Sequence, residues 1–226
     1  MLGGMAPTKR PIGRKLLAHD RRFGVRYVAG ADEAGRGPLA GPLVAAGVLL
    51  DMEKLRQHRA RPLALLNDSK QVDEATRDVL YRAVMLCAEK ISIQVFPAHV
   101  IDRDGLHRCN LKGLRDALWA LGDADVRLVD GFKLGPLAPP HQAVVDGDTK
   151  SAAIAAASIV AKVTRDRYMH FADAWHPGYG FSSHVGYITP LHSAAVRKIG
   201  PSAIHRLSFA ARCYGEAADE AVAATA

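Results

Sequence analysis

Cysteines and long apolar runs are scarce in this sequence. The first shortage argues against a disulfide-bonded or zinc-binding protein, and the second argues against a membrane-spanning one. The three cysteines, Cys87, Cys109 and Cys213, are widely spaced and form no C-x-x-C pair, so neither a disulfide framework nor a zinc site is indicated. A protein of the reducing cytoplasm is the expectation. The best apolar candidate, residues 152–161, stops at Lys162 and falls short of the ~20 residues that a membrane helix requires. We therefore expect no membrane partner.

Positive charge exceeds negative charge along the chain. Lys and Arg number 30 against 23 Asp and Glu, which gives a formal net charge of +7 and a pI near 9.5. This balance favours polyanionic partners such as nucleic acid, although charge alone identifies none. The basic N-terminus lacks the apolar stretch of a secretory signal peptide, and a transit peptide stays a minor alternative.

Length and composition favour one globular domain with loose ends. With 226 residues, of which 49% are hydrophobic, the chain can bury one substantial core. Residues 1–26 carry Gly, Pro and basic residues without periodicity and are predicted to be a flexible basic arm. Residues 216–226 are small and acidic and are predicted to be a disordered tail. The folded domain is expected to span residues 27–215.

Apolar periodicity within this domain predicts strands that alternate with helices. Short Val- and Leu-bearing runs predict strands at residues 27–31, 42–50, 91–96, 126–129 and 143–145. Helical spacing predicts helices at residues 73–90, 97–121 with a break near Gly105, and 151–172. The Pro-rich stretch 134–140 is predicted to be a loop. This order indicates an α/β fold with a mixed central β-sheet flanked by helices.

Carboxylates follow the ends of the predicted strands. Asp32 and Glu33 lie where the first strand runs into a Gly-rich turn, Asp130 closes another strand, and Asp148 precedes the Ala-rich helix. An isolated Asp-Glu pair is usually a solvated turn, but adjacent strands would bring these acids together. Clustered carboxylates repel one another and raise each other's pKa, and hard divalent cations relieve that repulsion. The pattern therefore indicates Mg²⁺ or Mn²⁺.

A pair of such ions suits phosphodiester hydrolysis. Two ions ~4 Å apart can activate a water, stabilise charge on a phosphate and neutralise the leaving oxygen. Basic residues around the acids would neutralise a polyanion that the carboxylates alone would repel. The positive charge balance and the acidic cluster thus fit one function, cleavage of nucleic acid.

Residues 29–42, with the sequence AGADEAGRGPLAGP, resemble the opening signature of the ribonuclease HII family, the type 2 ribonucleases H. Further blocks match in family order, namely residues 68–70, 129–131, 147–148, 156–166, 179–181, 186–187 and 205–209. The resemblance covers residues 27–212. It implies a ribonuclease H-like fold with a C-terminal helical extension. It also implies metal-dependent cleavage on the 5′ side of a ribonucleotide, in an RNA/DNA hybrid or embedded in duplex DNA, leaving 3′-hydroxyl and 5′-phosphate ends.

The resemblance also implies the metal ligands. By motif they are Asp32, Glu33, Asp130 and Asp148. Asp146 and Asp166 are the acids most easily mistaken for the fourth ligand. We favour Asp148 because it follows a glycine as the family ligand does, whereas Asp166 lies within a predicted helix, where a structural ion pair is expected.

Ribose recognition is expected at the Gly-rich turn. A protein group that recognises the 2′-hydroxyl must approach the sugar closely. Gly35 and Gly37 have no side chains, so the backbone around Arg36 is accessible. The resemblance implies that this turn contacts the 2′-hydroxyl and the adjoining phosphate; a plain β-turn is the alternative.

Two further residues match substrate contacts of the family. Tyr187 matches a tyrosine that packs on the sugar of the following deoxynucleotide, with a packing role as the alternative. Lys70 matches a lysine that contacts a phosphate, although a lone Lys is usually only solvated charge. The chain departs from the family pattern at Val185, where members often have Lys, which puts one phosphate contact in doubt.

Several alternatives stay open at this stage. The ribonuclease HIII branch carries an additional N-terminal domain that residues 1–26 are too few to form. A non-catalytic hybrid-binding module would have lost turnover, which the intact acids argue against. Serine hydrolase and nucleotide triphosphatase motifs are missing. Expected partners are RNA/DNA hybrids and duplex DNA containing ribonucleotides; a monomer is expected, and contact with a sliding clamp is left open.

Overall fold

A mixed β-sheet forms the centre of the fold. The computed structural model describes residues 12–56, 61–66, 69 and 72–215, and in these residues the sheet has five strands. The strands are β1 Tyr27–Ala34, β2 Leu43–Asp51, β3 Lys90–Phe96, β4 Val126–Asp130 and β5 Gln142–Val144. Their order across the sheet is β3-β2-β1-β4-β5. Strands β1, β2 and β3 pair antiparallel, whereas β4 and β5 continue from β1 in parallel.

Helices cover both faces of this sheet. They are α1 Ile12–Arg21, α2 Glu74–Cys87, α3 Ala98–Asp104, α4 Leu106–Ala120, α5 Ala152–Trp175, α6 Phe181–His184 and α7 Pro190–Ile199. Alternate residues of β1 point to opposite faces, so Val28 packs in the core with α5, while Ala29 and Ala31 pack with α4. The predicted α/β class, the mixed sheet and the C-terminal helical extension are confirmed.

Close contact between β1 and α5 requires a glycine. A Cβ added at Gly30 would lie 2.2 Å from the carbonyl carbon of Ala153, which is far inside van der Waals contact. The first half of α5 is rich in alanine and entirely buried, so helix and strand backbones approach closely. This contact fixes the strand that carries Asp32 and Glu33 against the helix that carries Ser158.

The predicted flexible arm is wrong for part of its length. Residues 12–21 form α1, whose Leu16 and Leu17 are buried in the main core. Its Asp20 accepts hydrogen bonds from the N–H of Ala153, at 2.9 Å, and from the hydroxyl of Ser151, at 3.1 Å. The helix is therefore held by tertiary contacts with the start of α5. Residues 1–11 and the predicted tail at 216–226 lie outside the described residues.

The C-terminal part packs a smaller core against the end of α5. Phe181, Val196 and Met169 are fully buried there, together with Leu39 and Ala40 from the loop between β1 and β2. That loop is thus enclosed by the C-terminal extension. Among the described residues, no helix is both long and apolar enough to cross a membrane.

Candidate active site

The parallel pairing of β1 with β4 brings three acids to one place. Ala31 pairs with Val129, so Asp32 and Asp130 follow on neighbouring strands at the same edge. A cavity of about 540 Å³ opens there. Its lining residues are Asp32, Glu33, Ala34, Gly35, Arg36, Gly37, Ser69, Arg77, Asp130, Ser158, Lys162, Arg165 and Tyr187. The site therefore combines acids, cations, a glycine turn and one aromatic ring.

Asp32 is the most deeply buried acid of this cavity, at 6% exposed. One of its carboxylate oxygens, Oδ1, accepts the N–H of Glu33 at 2.7 Å. Burial raises its pKa well above the ordinary value, and the charges of Glu33 and Asp130 raise it further. A hydrogen bond from the Ser158 hydroxyl acts in the opposite direction. The protein by itself therefore disfavours the charged form of Asp32.

Glu33 has a similar environment with one cation beside it. Burial raises the pKa of Glu33, the guanidinium of Arg36 lowers it, and the charge of Asp130 raises it. Arg36 Nη1 lies 3.4 Å from Glu33 Oε1. Because half of the Arg36 side chain is exposed, this ion pair only partly offsets the repulsion among the acids.

Asp130 connects the strand edge to the turn that carries the fourth predicted acid. Its Oδ1 accepts the N–H of Gly147 at 2.6 Å. Asp148 follows in the turn Gly147–Thr149 and is 8% exposed, but it is not among the lining residues of the cavity. Asp146, by contrast, is exposed and has a left-handed backbone with φ 50°. Of the two acids on either side of Gly147, Asp148 is therefore the buried one and Asp146 the exposed one.

The predicted metal ligands do not form a closed metal cluster. Across the described ranges, no three His, Cys, Asp or Glu side chains are grouped so that they could hold a metal ion. Backbone N–H groups already bind one oxygen each of Asp32 and Asp130. The chemistry of the donor set still fits a hard divalent cation, because burial raises the pKa of both Asp32 and Glu33, and a nearby positive ion would stabilise their charged forms. The metal-ligand roles stay a prediction.

Asp166 has a different use, as the sequence predicts. It accepts a hydrogen bond of 2.8 Å from Lys162 one turn earlier on α5, and Arg165 Nη1 lies 3.8 Å away. The structural ion pair is therefore confirmed. It also holds the Lys162 side chain, which lines the cavity.

The glycine turn faces the same cavity as the acids. Gly35 has φ 94°, and a Cβ there would lie 2.4 Å from Arg165 Nε and 2.6 Å from the carbonyl oxygen of Pro42. Both the backbone conformation and the space therefore require glycine. At Gly37 a Cβ would meet only Cε1 of Tyr187, at 3.9 Å, so this residue borders open space.

Tyr187 lines the cavity beside the glycine turn. Its side chain is 42% exposed, and Lys162 Nζ and Arg165 Cζ each lie 5.7 Å from the ring centroid. Val185 lies two residues before Tyr187 and has φ 42°, a conformation that is rare for a β-branched residue. The predicted phosphate contact Lys70 lies outside the described residues, whereas its neighbour Ser69 is described.

Two serines of this site were missed as functional residues in the sequence. Ser69 and Ser158 lie 2.9 Å apart, oxygen to oxygen, and both are buried. Arg77 donates to the carbonyl oxygens of Ser69 and Val72, at 3.1 and 2.6 Å, and so holds these two residues. Ser158 was the only polar residue in an otherwise apolar stretch of α5, which was the available signal.

Comparison with known proteins agrees with this geometry. The family model described as Ribonuclease HII matches residues 29–212. The chain belongs to the ribonuclease HII family. It is therefore a metal-dependent endoribonuclease, a hydrolase with ribonuclease H activity.

Curated relatives in this family match most of the chain. Ribonuclease HII of Mycobacteroides abscessus is 46% identical over 189 residues, which are 83% of this chain and 79% of that protein. Ribonuclease HII of Nocardia farcinica is 47% identical over 197 residues, 87% of this chain and 76% of that protein. The match thus spans the strands and helices that build the site.

Solved structures of ribonucleases HII and HIII have the same fold. Ribonuclease H2 from Pyrococcus horikoshii superposes with a TM-score of 0.70 at 24% identity, covering 86% of this chain and 98% of that one. The ribonuclease HII in a complex with PCNA from Archaeoglobus fulgidus gives 0.68 at 22% identity, with 83% and 96% covered. Bst-RNase HIII in complex with Mn²⁺ gives 0.61 at 18% identity, with 97% and 76% covered.

The described histidines do not line this cavity. His184, His192 and His205 are buried in the C-terminal core, and none lines the cavity. His192 Nε2 and His205 Nε2 lie 3.0 Å apart, and His192 Nδ1 lies 2.9 Å from the carbonyl oxygen of Tyr187. Their hydrogen bonds are thus made within the C-terminal core.

Proposed function

We propose that this ribonuclease HII family member incises the phosphodiester on the 5′ side of ribonucleotides, both in RNA/DNA hybrids and embedded in duplex DNA. The products would carry 3′-hydroxyl and 5′-phosphate ends. The observation that carries the proposal is that the Gly35–Gly37 turn and the acids of β1 and β4 border one cavity. The turn proposed to recognise the 2′-hydroxyl would therefore lie beside the acids proposed to catalyse hydrolysis.

Asp32, Glu33, Asp130 and Asp148 are proposed to hold Mg²⁺ or Mn²⁺. When bound, the ions supply an activated water and stabilise charge at the phosphate, as in two-metal hydrolases. Bst-RNase HIII, which has the same fold, is described in complex with Mn²⁺. Oxygen-only ligands suit both cations, so the choice between them rests on supply and geometry.

The protein residues then have separate tasks. Ser158, whose hydroxyl lowers the pKa of Asp32, is proposed to orient that carboxylate. The turn at Gly35–Gly37 admits the sugar closely because it has no side chains on either side of Arg36. The Tyr187 ring provides a flat apolar surface for the next sugar, with Lys162 and Arg165 beside it.

Cations of the cavity wall are proposed to bind the phosphates on either side of the cut. Arg36, Arg77 and Lys162 line the cavity around the acids. These cations are part of the positive net charge of +7, so the affinity for nucleic acid should fall steeply as salt is added. Lys70 is proposed as a further phosphate contact.

Cellular context is proposed in outline. An RNase HII of the same fold is described in complex with PCNA, which makes a sliding clamp a candidate partner here. We propose a monomer that acts in ribonucleotide excision repair in the cytoplasm. Among the described residues no disulfide bond joins the cysteines, which is compatible with a reducing location.

Mapping the cut on a duplex with one embedded ribonucleotide tests the proposal. With Mg²⁺ or Mn²⁺ we expect one incision immediately 5′ of the ribonucleotide, and none when a chelator is present. A cut on the 3′ side, or cutting that survives chelation, would contradict it. Tight binding of the duplex without any incision would instead indicate a non-catalytic binding module.

A further inference from the structure

Two fully buried arginines lie against the turn that borders the cavity. Arg165 on α5 and Arg206 near the C-terminus are both 0% exposed. Long charged side chains are almost never fully buried unless an acid pairs with them. Here the hydrogen-bond partners of both guanidinium groups are backbone carbonyl oxygens, and the only acid in an ion pair with either, among the described residues, is Asp166, whose Oδ1 lies 3.8 Å from Arg165 Nη1.

All four carbonyl partners belong to the segment between β1 and β2. Arg206 Nε donates to the oxygen of Gly41 at 2.9 Å, and its Nη1 donates to the oxygen of Arg36 at 3.3 Å. Arg165 Nε donates to Pro42 at 3.1 Å, and its Nη2 donates to Ala40 at 3.0 Å. The two side chains thus hold both ends of the loop that contains the Gly35–Gly37 turn.

This arrangement is costly for the fold. Burial and the nearby charge of Arg165 lower the pKa of Arg206 to about 9. Within the described residues, Arg206 Nη2 and Arg165 Nη1 have no hydrogen-bond partner. An apolar side chain of similar size commonly replaces a buried charge at no loss of stability, so stability alone does not explain two such arginines.

The geometry of the peptide group suggests what Arg206 provides. A trans peptide is planar, and its C=O and N–H point in opposite directions. Arg206 holds the C=O of Arg36 toward the interior, so the N–H of the next residue, Gly37, points away from Arg206. Gly37 lines the cavity, and nothing but the Tyr187 ring lies within 4 Å of a Cβ placed there.

We propose that Arg206 is a positioning residue for sugar selectivity. By fixing the peptide plane between Arg36 and Gly37, it presents the Gly37 N–H to the 2′-oxygen of the ribonucleotide. Arg165 supports the same loop at Ala40 and Pro42, further from the turn. This inference rests on the proposed function, in which the turn reads the ribose.

Binding in a non-cutting background tests the proposal without relying on turnover. Asp130→Asn serves as that background, and Arg206→Met is added to it. The dissociation constants are measured with Mg²⁺ for a duplex carrying one ribonucleotide and for the same duplex made of DNA alone. We expect Arg206→Met to reduce the preference for the ribonucleotide by about fivefold, the factor that one neutral hydrogen bond contributes. Affinity for the DNA duplex should stay unchanged.

Two further variants separate positioning from folding. Tyr214→Phe is the matched control, because the Tyr214 hydroxyl donates to Leu39 and Arg206 carbonyl oxygens in the same core without touching the Arg36 peptide. It should lower the melting temperature and leave the preference intact. Arg206→Lys keeps one cationic donor and should retain part of the preference. If Arg206→Met does not fold, the preference of Arg206→Lys for the ribonucleotide tests the positioning role instead.

The outcomes are distinct. An unchanged preference in the Arg206 variants, or an equal loss of affinity for both duplexes, would overturn the positioning role. A background protein that has no preference for the ribonucleotide would overturn it as well. Failure of the unmodified protein to cut at an embedded ribonucleotide would instead count against the proposed function.

Discussion

Ser158 on α5 neighbours both Ser69 and Asp32: its hydroxyl oxygen lies 2.9 Å from that of Ser69, and its hydroxyl acts as a donor that lowers the pKa of the Asp32 carboxylate. All three side chains are buried at the edge of the cavity. A buried carboxylate with one fixed donor has fewer orientations available, which matters where its oxygens are to bind a metal ion.

Ser158→Ala should therefore reduce turnover. A hydrogen bond to a charged group contributes ~1.5–3 kcal/mol, so we expect kcat to fall by at least about tenfold with little change in KM. Ser69→Ala is the matched control, because it leaves the bond from Ser158 to Asp32 in place and should cost less. Steady-state incision kinetics measure both. Equal losses in the two variants would speak against the orienting role.

Asp130→Asn and Asp32→Asn should each abolish incision while duplex binding survives. Each amide removes one negative oxygen from the proposed metal site at nearly the same size, so we expect losses on the order of a thousandfold in kcat. Asp166→Asn is the control on the same wall, because its ion pair with Lys162 is structural. It should change kcat by less than about threefold. Unchanged cleavage by Asp130→Asn would refute the ligand assignment.

Asp148 and Asp146 can be separated by the same substitution at both positions. Asp148→Asn should remove incision, because this buried side chain follows the glycine that bonds to Asp130. Asp146→Asn should keep activity near that of the unmodified protein, since the residue is exposed and Asn tolerates its left-handed backbone. The dependence of incision on Mn²⁺ concentration gives a second measurement. The reverse pattern would move the fourth ligand to Asp146.

Tyr187→Ala should reduce cutting at an isolated ribonucleotide more than cutting of a long RNA/DNA hybrid. A stacking surface contributes about 1–3 kcal/mol per contact, and a junction depends on the deoxynucleotide side of the cut. Tyr187→Phe keeps the ring and should retain the preference. The ratio of kcat/KM for the two substrates is the measurement. Equal losses on both substrates would contradict a role at the junction.

The pair of His192 and His205 predicts a pH dependence of stability. Burial lowers the pKa of His205 to about 4 and also lowers that of His192, and their ring nitrogens lie 3.0 Å apart. In the unfolded chain a histidine titrates near 6.5, so between about pH 6.5 and 4 the unfolded state binds more protons. The free energy of unfolding should therefore fall as the pH falls through this window. Urea titrations across it measure the slope, which should be shallower in His205→Gln.

Most strands and helices could be predicted because their signals are local. The helix α2 begins after Asp73, whose side chain accepts the N–H of Thr76, and Gly105 separates α3 from α4 with φ 86°. Strands β1 and β2 extend only a few residues beyond their predicted bounds. The helix α1 was missed because its stability comes from contacts with residues that are distant in sequence, above all the bond from Ala153 to Asp20.

The site shows the same division between local and distant signals. Asp32 and Asp130 were predictable because each ends a strand and parallel neighbours share an edge. The hydrogen bonds of Arg206 were not, since they join positions more than 160 residues apart and end on backbone oxygens that carry no sequence signal. The contact between Ser69 and Ser158, which are 89 residues apart, could not be predicted either, although Ser158 is the only polar residue in its apolar stretch.

Strand β1 pairs with β2 on one side and with β4 on the other, and α5 lies against its face through Gly30. Fraying begins at termini and outer strands, where fewer partners must separate. Thermal motion that opens β3 or β5 would accordingly leave Asp32 and Glu33 in place. Asp32 and Glu33 belong to a strand that should unfold last, so their mutual arrangement should persist until the whole domain melts.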